Sequence, residues 1–83
     1  MDDETRCILL FASVHDVAAA ERVLIQHGVW CDVVPKPSVL GGGCGVALVV
    51  QKSDMPRLGD LPGFPVARLQ GAYRKVDGAY LPC

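Results

Sequence analysis

Two short stretches dominate what this chain can fold into. Arg6 to Ala12 (R-C-I-L-L-F-A) and Val46 to Val50 (V-A-L-V-V) are apolar at nearly every position. A strand buried on one face alternates apolar with polar residues, so an unbroken apolar run reads as a central strand covered on both faces. In 83 residues there is room for one domain, 1–83, with a thin core. At 51% hydrophobic and 20% charged residues the chain is not a disordered one. Its net charge of −1 includes no basic stretch, which argues against a nucleic-acid partner. The apolar run from Cys7 to Val14 falls far short of the ~20 residues that span a bilayer. The acidic start Met1-Asp2-Asp3-Glu4 is unlike the basic start of a secretory leader. We expect a cytoplasmic domain without membrane contact.

Between the two apolar runs, Ser13 reads as a helix N-cap with Asp16 as its capping-box carboxylate. The helix would run from Val14 to His27, burying Val14, Val17, Ala18, Leu24 and Ile25, and stop at Gly28. Val29 to Pro35 reads as a second strand ended by Pro35-Lys36-Pro37. Ser53-Asp54-Met55-Pro56 opens a second helix, kept short by Gly59, Pro62, Gly63 and Pro65. From Ala67 the pattern predicts a half-buried strand, with Ala67, Leu69, Gly71 and Tyr73 on one side. Asp77-Gly78 marks a closing hairpin that reaches Leu81.

The order is β-α-β-β-α-β with a tail. We expect an α+β, ferredoxin-like sandwich with a short second helix and a C-terminal β-hairpin tail. Both helices of that fold cover one sheet face, yet the first and third strands are apolar on both. A second copy of the chain or an obligate partner would cover the other face, or else the C-terminal hairpin folds over it.

The four cysteines, 7, 31, 44 and 83, lack Cys-x-x-Cys spacing, and neither His15 nor His27 is placed as a zinc ligand. In a reducing compartment four thiols are the default, with no metal and no cofactor. Cys7 and Cys31 lie in or beside strands and read as buried structural cysteines. Cys83, at the chain end, could resolve a bond formed by another thiol, although a spare terminal cysteine is the simpler reading.

Leu40-Gly41-Gly42-Gly43-Cys44-Gly45 is the segment that could carry chemistry. Glycines leave a sulfur unshielded and let backbone N–H groups form a nest that favours an anion. At Cys44 such a nest, formed around Gly42, Gly43 and Gly45, would lower the thiol pKa and raise its nucleophilic fraction. The plain alternative is a flexible turn with Cys44 as a small apolar residue entering the third strand. No Gly-Lys-Ser/Thr follows, so a phosphate loop does not fit. His15 could face the same sheet end as this loop, and Glu21 could aim toward it. Each reads first as a surface residue.

Leu9-Leu10-Phe11-Ala12-Ser13-Val14-His15-Asp16, then Ala20-Glu21, Leu24 and Gly28, then Pro35-Lys36-Pro37 and Cys44-Gly45, form one ordered set. Together they resemble the putative selenium/sulfur carrier protein-like family. The resemblance covers residues 6–51 well and the tail to Arg74 loosely. It implies that Cys44 holds sulfur or selenium as a persulfide or perselenide. The implied partners are a cysteine desulfurase or selenium-donor protein and a sulfur- or selenium-accepting protein. Where the family often has a basic residue after the second proline this chain has Ser38, so Lys36 or the backbone would stabilise the thiolate. Gly41-Gly42-Gly43 stand where hydroxyl residues are common.

Two other readings compete. One is an ACT-like ligand-binding or dimerising regulatory module without thiol chemistry, and the other a structural adaptor whose dimer surface is its function. A turnover enzyme has the least support, since no carboxylate pair or Ser/His/Asp set is present.

Overall fold

The computed structural model describes residues 3–41 and 45–83. It is an α+β domain in which a five-stranded antiparallel sheet carries two helices. The strands are β1 (Asp3–Phe11), β2 (Cys31–Pro35), β3 (Val46–Gln51), β4 (Leu69–Val76) and β5 (Ala79–Pro82). The helices are α1 (Val14–Gln26) and the single turn α2 (Met55–Leu58). In the sheet the strands lie in the order β2-β3-β1-β4-β5. This departs from a four-stranded sheet with a separate tail, because the hairpin tail has joined the sheet as an edge strand. The alternative that the hairpin folds over the second face is therefore overturned.

The two apolar runs are the central strands, as their composition requires. Cys7 and Leu9 of β1 stand opposite Val50 and Leu48 of β3, and these four residues are fully buried. Above them lies α1. Its N-cap is Ser13, in extended conformation, whose hydroxyl accepts from the Asp16 backbone N–H at 3.3 Å and donates to the Asp16 carboxylate at 3.1 Å. Gly28, at φ +69°, turns the chain off the helix into a region that costs L side chains energy.

The buried stripe of α1 is Val17, Ala20, Val23 and Leu24, which corrects the expected set. Ala18 and Ile25 lie one residue, about 100°, round from Val17 and Leu24, and Ala18 faces solvent with Ile25. Val14 is exposed in the first turn, beyond the sheet. The one-turn α2 contributes Leu58, and the rest of this layer comes from Leu61 and Phe64 in the segment that follows. The Phe64 ring meets Phe11 edge-on at 6.2 Å between centroids.

β4 also departs from the expected alternation. It begins at Leu69, after a 3-10 turn at Val66–Arg68. Gly71 pairs with Leu10 but Leu69 pairs with Phe11, so Gln70 is an extra residue in a β-bulge. Beyond the bulge the faces exchange. Leu69 and Ala72 pack on the core, whereas Gly71 and Tyr73 share the opposite face with Leu10 and Ile8. Asp77 (φ 50°) and Gly78 (φ 80°) form the expected two-residue hairpin turn.

The four-thiol expectation needs correction. Cys7 and Cys83 are joined by a disulfide, with Cα atoms 6.1 Å apart. The last residue donates its N–H to the Ala72 carbonyl at 2.9 Å, which draws the chain end back across β4 toward β1. Among the described residues no helix is long and apolar enough to cross a membrane.

Candidate functional site

The β2–β3 connection carries the sequence's candidate thiol. Gly42, Gly43 and Cys44 lie outside the described residues, and with them the expected nest of N–H groups. The two ends of the connection are defined. Pro35 pairs with Val46, and one step further the Lys36 N–H donates to the Gly45 carbonyl at 3.0 Å. Ser38–Leu40 form one 3-10 turn, closed by N–H groups of Leu40 and Gly41 on the Pro37 and Ser38 carbonyls. Gly41 then leaves at φ 63°, ψ −162°, a conformation essentially reserved for glycine. One glycine of the run is thus required by the backbone itself.

Register places this mouth among other elements. β3 runs antiparallel to β1 with Leu9 opposite Leu48, so the start of β3 lies at the end of β1 that leads into Ser13 and α1. Phe11 pairs with Leu69, which brings the entrance of β4 to the same end. A long-range ion pair joins the two: Arg68 Nε lies 3.2 Å from both Asp16 carboxylate oxygens. His15, exposed in the first turn of α1, belongs to this end too. Arg68 was missed by sequence reasoning, since a contact 52 residues distant leaves no local signal.

Glu21 and Cys83 are placed elsewhere. α1 runs back from Ser13 toward the opposite end of the sheet, and the Glu21 carboxylate acts on Cys31 there. Cys31 and Cys7 flank Val50 on the core face, about 13 Å along β3 from Val46. Cys83, bonded to Cys7, is at that far end as well and is no free resolving thiol for Cys44. Cys31 is a half-buried free thiol. Desolvation, then the Glu21 and Asp32 carboxylates, push its pKa above the ordinary thiol value, because each disfavours a thiolate. With two strand spacings between them, about 10 Å, Cys31 and Cys7 are also too far apart to bond without backbone movement.

The family described as "Putative Se/S carrier protein-like" matches residues 6–61, more than half of the chain. The chain belongs to this family. The part shared with the Se/S carrier-like family runs from β1 to just beyond α2 and includes the Pro35-Lys36-Pro37 turn and Cys44-Gly45. β4, β5 and Cys83 lie beyond it. Neither a curated protein nor a solved structure matches the chain.

Proposed function

We propose that this domain is a sulfur or selenium carrier that works through Cys44 alone. The observation that carries the reading is how the other three thiols are disposed of. Cys7 and Cys83 are bonded to each other, and burial, Glu21 and Asp32 raise the pKa of Cys31 and so disfavour its thiolate. Cys44 is left for the chemistry, in a connection whose ends are pinned by the Lys36–Gly45 hydrogen bond. Membership of the Se/S carrier-like family supports the same assignment. Lys36, half-buried next to the mouth, is a candidate for holding the anion, together with backbone N–H groups of Gly42, Gly43 and Gly45.

The transfer is an exchange at sulfur. The Cys44 thiolate attacks the outer sulfur of a persulfide on a donor protein, such as a cysteine desulfurase. A new S–S bond forms as the donor's S–S bond breaks, and the electron pair leaves on the donor's thiolate. No net oxidation occurs. An acceptor thiolate then removes the outer atom by the same step in reverse, and a perselenide would follow the same course. The carrier is not itself a turnover enzyme.

We also read the sheet as the ferredoxin-like split βαβ arrangement extended by β5. A cytoplasmic location belongs to the same proposal. There the disulfide must withstand reduction, and the complete burial of Cys7 leaves only the Cys83 sulfur open to an attacking thiol.

Incubation with a cysteine desulfurase and cysteine tests the assignment by intact mass. The chain should gain the mass of one sulfur atom, and Cys44→Ser should gain none. Equal loading of Cys44→Ser would overturn it. The ACT-like reading draws its support from the strand order and would show differently. A metabolite that raises the melting temperature equally in the native chain and in Cys44→Ala would favour it.

A further inference from the structure

β5 is the strand that packing holds least. None of its residues is in the core or packs against it, and Ala79, Leu81 and Pro82 are exposed. Its ladder and its ring contact are both with the other arm of its own hairpin. Tyr80 carries the Lys75 ammonium 5.7 Å from its ring centroid. The Cys83 N–H bonds the Ala72 carbonyl, and the alternation of an antiparallel ladder then makes Arg74–Leu81 and Val76–Ala79 the bonded pairs. Tyr80 and Pro82 turn their backbones outward, where Pro82 has no N–H to offer. A two-stranded hairpin on its own is marginal in water. The bond from Cys83 to Cys7 ties this one to β1, across β4.

The two sulfurs differ in access. Cys7 is fully buried, whereas Cys83 is exposed at the chain end. We infer that this bond is a redox latch: closed, it keeps β5 in the sheet, and its reduction lets β5 leave while the core stays folded. The reductant is a dithiol. One of its thiolates attacks the Cys83 sulfur, where a new S–S bond forms as the Cys7–Cys83 bond breaks. The electron pair leaves on the Cys7 sulfur, which takes up a proton. The reductant's second thiolate then displaces Cys83 as a thiol, and the reductant departs as a disulfide. A monothiol has no second thiolate in place, so Cys7 returns its mixed disulfide to the closed bond. Once open, the latch leaves Cys7 in the core as a small apolar residue. Leu9, Leu48 and Val50 keep their partners on β1 and β3, while Arg74 and Val76 turn backbone groups to water. This device is independent of the chemistry at Cys44.

Amide hydrogen exchange of the native chain, before and after treatment with dithiothreitol, tests the latch. In the oxidised chain the Arg74, Val76 and Leu81 amides should be protected with the rest of the sheet. After reduction they should exchange about a hundredfold faster, as in a fraying segment, while those of Leu9, Leu24 and Leu48 stay protected. Cys83→Ser without reductant should match the reduced native chain. Glutathione at the same thiol concentration should leave all these amides protected. Iodoacetamide added after reduction should label Cys83 and leave Cys7 unlabelled. Unchanged exchange at Arg74, Val76 and Leu81 once intact mass shows the bond reduced would overturn the proposal. So would loss of protection throughout the core, equal opening by glutathione, or labelling of Cys7.

Discussion

The Lys36 N–H donates to the Gly45 carbonyl at 3.0 Å, so the strand immediately after Cys44 is fixed to the strand that precedes the loop. The excursion between them depends on Gly41 and its φ of 63°. A side chain there costs about 1–3 kcal/mol. Gly41→Ala should lower the melting temperature by roughly 5 °C or more and slow sulfur loading. Gly59→Ala is the control, because Gly59 has helical dihedrals and open space at its Cβ position. It should leave both measurements unchanged or raise stability slightly. Equal behaviour of the two variants would count against the strained turn.

The Cys7–Cys83 bond closes a separation of 76 residues. In the chain-entropy account a loop of that size is worth about 4.5 kcal/mol. Cys83→Ser removes the bond at its exposed end and leaves Cys7 as a buried thiol. Its melting temperature should fall by roughly 20 °C, as should that of the native chain treated with a dithiol. A change of only a few degrees would mean that the bond contributes little in solution.

Cys31 should ionise above the ordinary thiol range, because burial, Glu21 and Asp32 all oppose its thiolate. In Cys44→Ser the only other cysteines are bonded, so intact mass after iodoacetamide treatment reports Cys31 alone. The midpoint of alkylation against pH should lie above that of a model thiol, and Glu21→Gln should bring it down. The linkage has a definite sign. Since the folded pKa is raised, this group's contribution is fully present below the unfolded thiol pKa and is lost as pH rises toward the folded value. Stability of Cys44→Ser should therefore fall on the alkaline side, and less steeply in the double variant with Glu21→Gln.

At the start of α1, the Ser13 hydroxyl both accepts from the Asp16 N–H and donates to its carboxylate. Ser13→Ala should lower stability by about 1 kcal/mol in urea unfolding. The Asp16–Arg68 pair has a solvent-exposed arginine, so a double-mutant cycle with Asp16→Asn and Arg68→Gln should give a coupling below about 1 kcal/mol. A larger coupling would mark the pair as more than a surface contact.

Much of this fold was legible because its cues are local. Ser13 with Asp16, Gly28 and Asp77-Gly78 each impose a backbone conformation on their own neighbours. The central strands were legible from runs with no polar residue. What failed was non-local or one residue out of phase. The bulge at Gln70 exchanges the faces of β4 without changing its composition, and it misled the placement of Leu69 relative to Tyr73. The Cys7–Cys83 pairing and the Asp16–Arg68 contact depend on how distant segments meet, which no spacing encodes. Cys44 was singled out by its glycine neighbours, and it lies outside the described residues.

The most direct test is the state of Cys44 in the chain isolated from its own host, alkylated at once and never exposed to reductant. Intact mass and peptide mapping should find a fraction of molecules with one additional sulfur or selenium atom, located on the Cys44 thiol. A chain with Cys44 uniformly bare, or with the additional atom on Cys31, would contradict the carrier assignment.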